Sequence, residues 1–166
     1  MRMIEPLLAE FDQETVTTRR FLERVPEDKL SWRPHPKSYT LGQLALHVAE
    51  SPGQVAQLTE VDTIPAPDFG NVNQPKSRAE VVSALEQSLT TAHRILGGMT
   101  DERAMQTWRV MKNGTAVMSL PRIGLVRAIM LNHWYHHRAQ LGVYLRLLDV
   151  PVPAAYGDSA DEHPMA

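Results

Sequence analysis

Seven histidines and no cysteine leave imidazole as the main metal-binding and proton-transferring group of this chain. Two of them, His133 and His137, stand four residues apart in LNHWYHHRAQLGVYLRLL. On a helix, an advance of about 100° per residue puts both rings on one face, one turn apart, where both can reach a single ion. Val126, Ile129, Met130, Leu141, Tyr144 and Leu148 share that stripe, so the pair is expected to face the core. His136 is also one turn from His133 but rotated toward the flank. A third ligand has to come from another helix, and His47, on the stripe of Leu41, Leu44 and Val48, is the best candidate. Three neutral imidazoles suit zinc, nickel, copper or iron and leave a position open for water or substrate. The competing reading is a set of hydrogen-bonded core histidines, and burial discriminates: two imidazoles stacked on one buried face need a shared partner or suffer desolvation.

Other polar and aromatic residues carry less. Glu50, three residues past His47, is a candidate general base or outer acceptor, or else a solvated helix carboxylate. Gln140 and Tyr144, one and two turns past His137, are placed to line a cavity, and Arg138 either holds a carboxylate or solvates the flank. Trp32, Trp108 and Trp134 read as packing anchors, because no basic stripe accompanies them as base-stacking platforms would require. His35, His93 and His163 have nothing to pair them. No Ser-His-Asp ordering and no phosphate-binding glycine loop is legible.

The elements that must position these residues follow from periodicity and breakers. Apolar residues at helical spacing from Met3 to about Leu22, including Phe11 and Val16, predict a first helix. Three prolines between Val25 and Tyr39 make that segment a connector, with Trp32 as its anchor. Thr40 and Gln43 form a capping box ahead of LGQLALHVAE, so a second helix starts there; Pro52 should kink or restart it close to His47. Asp62 to Lys76 reads as a loop, Ser77 and Glu80 as a second capping box, and Gly97-Gly98 as a left-handed end to the third helix. Asn113-Gly114 predicts a tight turn in a small hairpin or ordered loop. Pro121 then opens a fourth helix running to about Asp149, where Pro151 and Pro153 stop it. The expected fold is an all-α four-helix bundle over residues 1–150, with a short hairpin or loop between helices 3 and 4 and a tail over 151–166.

A chain of 166 residues normally folds around one core. Seventeen Lys and Arg against nineteen Asp and Glu give a net charge of -2, which provides no field for a polyanion and argues against direct nucleic-acid binding. The absence of cysteine excludes disulfides, thiolate zinc sites and a cysteine nucleophile. Early acidic residues and the lack of a long apolar run give neither signal peptide nor membrane span, so the expected location is cytoplasmic.

Two segments together resemble a known family. SWRPHPKSYTLGQLALHVAE is similar to the W-x-P…S-x-x-x-L-x-x-H segment of the DinB-like (DinB/YfiT-like) family, and HWYHHRAQLGVYLRLL to its H-x-x-H-H-R-G-Q-L helix. The resemblance spans nearly the whole chain, with the order and spacing of both motifs kept. It implies a four-helix bundle of up-down-down-up character, often a homodimer, with a divalent ion, usually nickel or zinc, held by His47, His133 and His137. Ala139 stands where the family commonly has Gly, and Thr40 where Ser is more usual at the cap; threonine keeps the capping chemistry. Some relatives are metal-dependent transferases or isomerases using low-molecular-weight thiols such as mycothiol or bacillithiol. The first reading is accordingly a metal-dependent thiol S-transferase with a small-molecule substrate. The alternatives are a non-catalytic metal- or ligand-binding stress-response protein, and a metal-dependent hydrolase with Glu50 as its base.

Overall fold

The structure is a computed structural model that describes residues 1–67 and 72–164. Its helices are α1 (Glu5–Glu23), α2 (Leu41–Leu58), α3 (Arg78–Gly97), the short α4 (Asp101–Met105), α5 (Arg122–Leu125) and α6 (His133–Leu147). A π-helical segment, Val126–Asn132, joins α5 to α6 without a break. The strands are β1 (Thr63–Pro65), β2 (Thr107–Lys112) and β3 (Thr115–Pro121). The fold is therefore mostly helical with a small sheet, and the expectation of an all-α bundle is corrected.

The hairpin of β2 and β3 turns at Asn113 and Gly114, whose φ values of 50° and 79° are the positive pair that a tight two-residue turn demands. β1 is the element missing from the sequence reading: it pairs in parallel with β2, Ile64 opposite Val110, inside the stretch expected to be a loop. Asp68 to Asn71 of that stretch lie outside the described residues, as do the last two of the tail. The rest of the tail folds back on the body, where Glu162 pairs with Arg20 of α1 and with Arg24 just past its end, and Asp161 with Arg146 of α6.

α2 is the central helix. Twelve of its residues are buried, from Leu41 through Ala56, which is the pattern of a helix enclosed by its neighbours. It runs in one piece to Leu58, where a kink or restart was expected at Pro52. The backbone groups disturbed there find partners outside the helix. Pro52 has no N–H for the carbonyl of Val48, and the indole N–H of Trp134 donates to that carbonyl instead, at 2.8 Å. Gly53 N–H donates to Ser88 Oγ at 2.7 Å, and the Ser88 hydroxyl donates to the Glu50 carbonyl at 3.1 Å. α3 approaches so closely that a Cβ on Gly53 would stand 2.8 Å from the Cα of Ser88.

Three smaller expectations are also revised. Val16 is 64% exposed, and Thr18 and Phe21 take the inward positions near it. Ser77 caps α3 through Glu80 N–H, but the Glu80 carboxylate accepts from Lys76 N–H, so only half of the box forms. Gly98 ends α3 at φ -88°, with no left-handed residue.

Candidate metal centre

The connector before α2 fixes where that helix begins. Leu41 N–H donates to the Trp32 carbonyl (2.7 Å) and Gly42 N–H to the Leu30 carbonyl (2.9 Å). The capping box of Thr40 and Gln43 is present as predicted. All these bonds satisfy donors that a helix N-terminus leaves open. They also hold Tyr39 near His47, with ring centroids 6.1 Å apart. Tyr144 of α6 reaches the same connector, its hydroxyl donating to the Tyr39 carbonyl at 3.3 Å and its ring meeting Trp32 edge-on at 5.8 Å.

α6 is held against α2 by the Trp134 to Val48 bond, one residue from a histidine on each helix. The centre of its buried face is Trp134, Arg138, Leu141 and Leu145. His133 and His137 lie beside that line and are half-buried, so the expectation that they face the core is corrected to its edge. That boundary is where an ion can be held by protein and still meet solvent. The π-helical turns just before His133 are a helix irregularity of a kind common at functional sites.

The structure brings His47, His133 and His137 together. One ring nitrogen from each lies within 4.8 Å of the other two, and all three residues are half-buried. Ring centroids are 5.1 Å apart for His47 and His133, 4.5 Å for His47 and His137, and 4.3 Å for His133 and His137. Nitrogens about 2.1 Å from a shared ion stand roughly 3.0 to 3.4 Å apart at octahedral to tetrahedral angles. The Nε2 atoms of His133 and His137, 2.9 Å apart, are already near that spacing.

Burial, reinforced by the neighbouring imidazoles, pushes His47 and His133 down to about 4, and burial also lowers His137. At neutral pH all three are uncharged, each with one bare ring nitrogen. Nδ1 of His133 is buried without a hydrogen-bond partner. Nδ1 of His137, in contrast, is 2.8 Å from the side-chain oxygen of Gln140. Residue type, spacing and protonation all fit a divalent transition ion on three imidazoles.

Glu50 is not brought to this cluster. Its carboxylate accepts from Gln54 at 3.1 Å, and it lines a groove of about 190 Å³ with Gly53, Gln57, Ala84 and Ser88, between α2 and α3. Burial raises its pKa. Arg138 does hold a carboxylate, that of Glu14, and its guanidinium lies over the rings of Tyr135 and Tyr156. Trp108 and Trp134 are buried anchors. His136 is exposed, its ring 4.9 Å from that of His137. His93 and His163 meet Asp12 and Asp158 at the surface, away from the cluster. Among the described residues no helix is long and apolar enough to cross a membrane.

Comparison with known proteins gives a consistent picture. A family model described as the DinB family matches residues 2–164. YrdA of Bacillus subtilis (strain 168), an uncharacterized protein, is 22% identical over 165 residues, covering 96% of this chain and 91% of its own. A crystal structure of a DinB-like protein from Bacillus cereus superposes with a TM-score of 0.70 at 22% identity, over 92% of this chain and 97% of that one. A DinB-like protein from Bacillus subtilis, YjoA, gives 0.68 at 19% identity, over 96% and 99%. At these identities the solved structures speak for the fold.

Proposed function

The chain belongs to the DinB family, and from that footing we propose that it is a metal-dependent enzyme acting on a small-molecule thiol, with His47, His133 and His137 as the ligands of a divalent ion. The observation that carries this reading is the convergence of three uncharged, half-buried imidazoles from two helices on one point. When bound there, the ion supplies Lewis acidity that favours the thiolate form of a sulfur ligand near neutral pH. Nickel and zinc are the ions we expect.

The surrounding residues favour a thiol over a water nucleophile. Hydrolysis is helped by a base positioned on the attacking water, and Glu50, the candidate for it, faces Gln54 and α3 instead. A thiol, with an ordinary pKa near 8.5, needs less help, and its proton can pass to solvent at this half-open edge. Having no cysteine, the chain must take its sulfur from a substrate. The sulfur then forms a bond to the carbon of an electrophile, whose leaving group or conjugated π bond accepts the electron pair. Among the described residues no carboxylate joins the three histidines, which supports an open position more than a closed structural site.

The test combines several low-molecular-weight thiols with a chromogenic electrophile bearing a halide leaving group. We expect a rate above background that is lost on chelation and in His47→Ala, and restored by nickel or zinc in the parent protein. No metal-dependent rate with any thiol would overturn the activity. The same reading includes a homodimer in the cytoplasm, and a monomer by light scattering would contradict the dimer.

A further inference from the structure

We propose that Gln140 is a positioning residue for the three-histidine centre: its side-chain carbonyl holds the proton of His137 on Nδ1 and so leaves the Nε2 lone pair free toward the cluster. This rests on the metal reading above and adds a residue to it. Gln140 lies three residues past His137, the separation at which helical side chains meet. Its oxygen is 2.8 Å from Nδ1, while Nε2 of the same ring is 2.9 Å from Nε2 of His133. A neutral imidazole has one proton, so an acceptor at Nδ1 decides that Nε2 is the bare nitrogen.

Gln140 is exposed, so packing does not explain where its amide sits. His133 supplies the contrast. Its Nδ1 is buried with no partner. In the metal-free protein its proton belongs on Nε2, where it bridges to the lone pair of His137, and it must leave that position for His133 to become a ligand. His137 needs no such change. One ligand on α6 is thus preset and its neighbour is not, and the difference between them is Gln140.

The acceptor is an amide and not a carboxylate, which has a chemical consequence. A carboxylate at this position would make the imidazole more basic and strengthen its hold on the ion. The neutral amide orients the ring while adding no negative charge, so a bound ion keeps more of its Lewis acidity. The opposite amide orientation, with the NH₂ toward Nδ1, would drive the His137 proton to Nε2 and block the ligand. Removing Gln140 would in that case tighten metal binding, so the two arrangements predict opposite signs.

The experiment is a cobalt(II) titration of the full chain followed by visible absorption, comparing wild type, Gln140→Leu and Gln140→Glu. We expect Gln140→Leu to bind cobalt about 10- to 100-fold more weakly with altered bands. The melting temperature of its metal-free form should stay unchanged, because the residue is exposed. Gln140→Glu, which restores the acceptor, should bind at least as tightly as wild type. Imidazole ¹⁵N shifts of the metal-free protein should show His137 as the Nδ1–H form in wild type and a mixture in Gln140→Leu. Cobalt binding by Gln140→Leu that equals or exceeds wild type, or an Nε2–H His137 in wild type, would overturn the proposal alone. A wild-type protein that takes up no cobalt would overturn the metal reading itself, and this proposal with it.

Discussion

An imidazole nitrogen binds a proton or a metal ion through the same lone pair, so anything that disfavours the imidazolium leaves the ligand available. Burial does this for His47 and His133, each held down to about 4, against an ordinary value near 6.5. The same displacement links stability to pH. Below about 6.5 the unfolded chain protonates these histidines while the folded chain resists, so the unfolded state binds more protons. Stability contributed by the uncharged rings is therefore complete above about pH 6.5 and is lost as pH falls toward about 4. Chemical denaturation of metal-free protein across this window should show the decline, and His47→Ala should flatten part of it; identical slopes in the two proteins would contradict the assignment. At this scale much of the site was legible, because the four-residue spacing of His133 and His137 and the apolar neighbours of His47 are sequence properties. The part played by Gln140 was not, since three-residue spacing allows its contact with His137 but does not select it over solvent. Glu50 has the right spacing from His47, yet its side chain turns toward Gln54 and α3.

Helices bring the histidines together, and the bond between them depends on a proline. Pro52 frees the Val48 carbonyl, and Trp134 occupies it. Trp134→Phe keeps most of the ring but leaves a buried carbonyl unpaired, at a cost of about 1 to 3 kcal/mol. Pro52→Ala returns a backbone N–H to the same carbonyl. The two substitutions should therefore couple, with Pro52→Ala about 1 kcal/mol less harmful, or stabilising, in the Trp134→Phe background. Denaturant midpoints of the four proteins measure this, and additivity within about 0.5 kcal/mol would contradict it. The position of the proline is plain in the sequence, but a breaker gives no hint of the partner 86 residues away that lets the helix continue. β1 has no sequence signal for a related reason: Thr63, Ile64 and Pro65 are too short a run to show alternation, and their strand character comes from β2 alongside. The hairpin was legible because Asn113-Gly114 is a local signal.

Across the whole molecule, Arg122 joins the end of α2 to the start of the sheet. It is fully buried, donates to the carbonyls of Thr59, Gln106, Thr107 and Val61, and pairs with Asp62. Arg122→Met would strip these four carbonyls, the buried one of Thr59 among them, of their donor and should lower stability by about 1 to 3 kcal/mol, read from the denaturant midpoint. A change under about 0.5 kcal/mol would mean that water replaces the guanidinium at little cost. The burial of Arg122 is a tertiary property that arises where the end of α2, the start of β2 and α5 converge. All these elements serve to carry His47 on one helix to His133 and His137 on another. The central claim is that the three hold a metal, and elemental analysis of protein purified without an affinity tag tests it most directly. Wild type should carry close to one divalent transition ion per chain, and His47→Ala, His133→Ala and His137→Ala should each lose it. A wild-type protein free of metal after incubation with nickel or zinc, or one whose three variants keep their full metal content, would contradict the account.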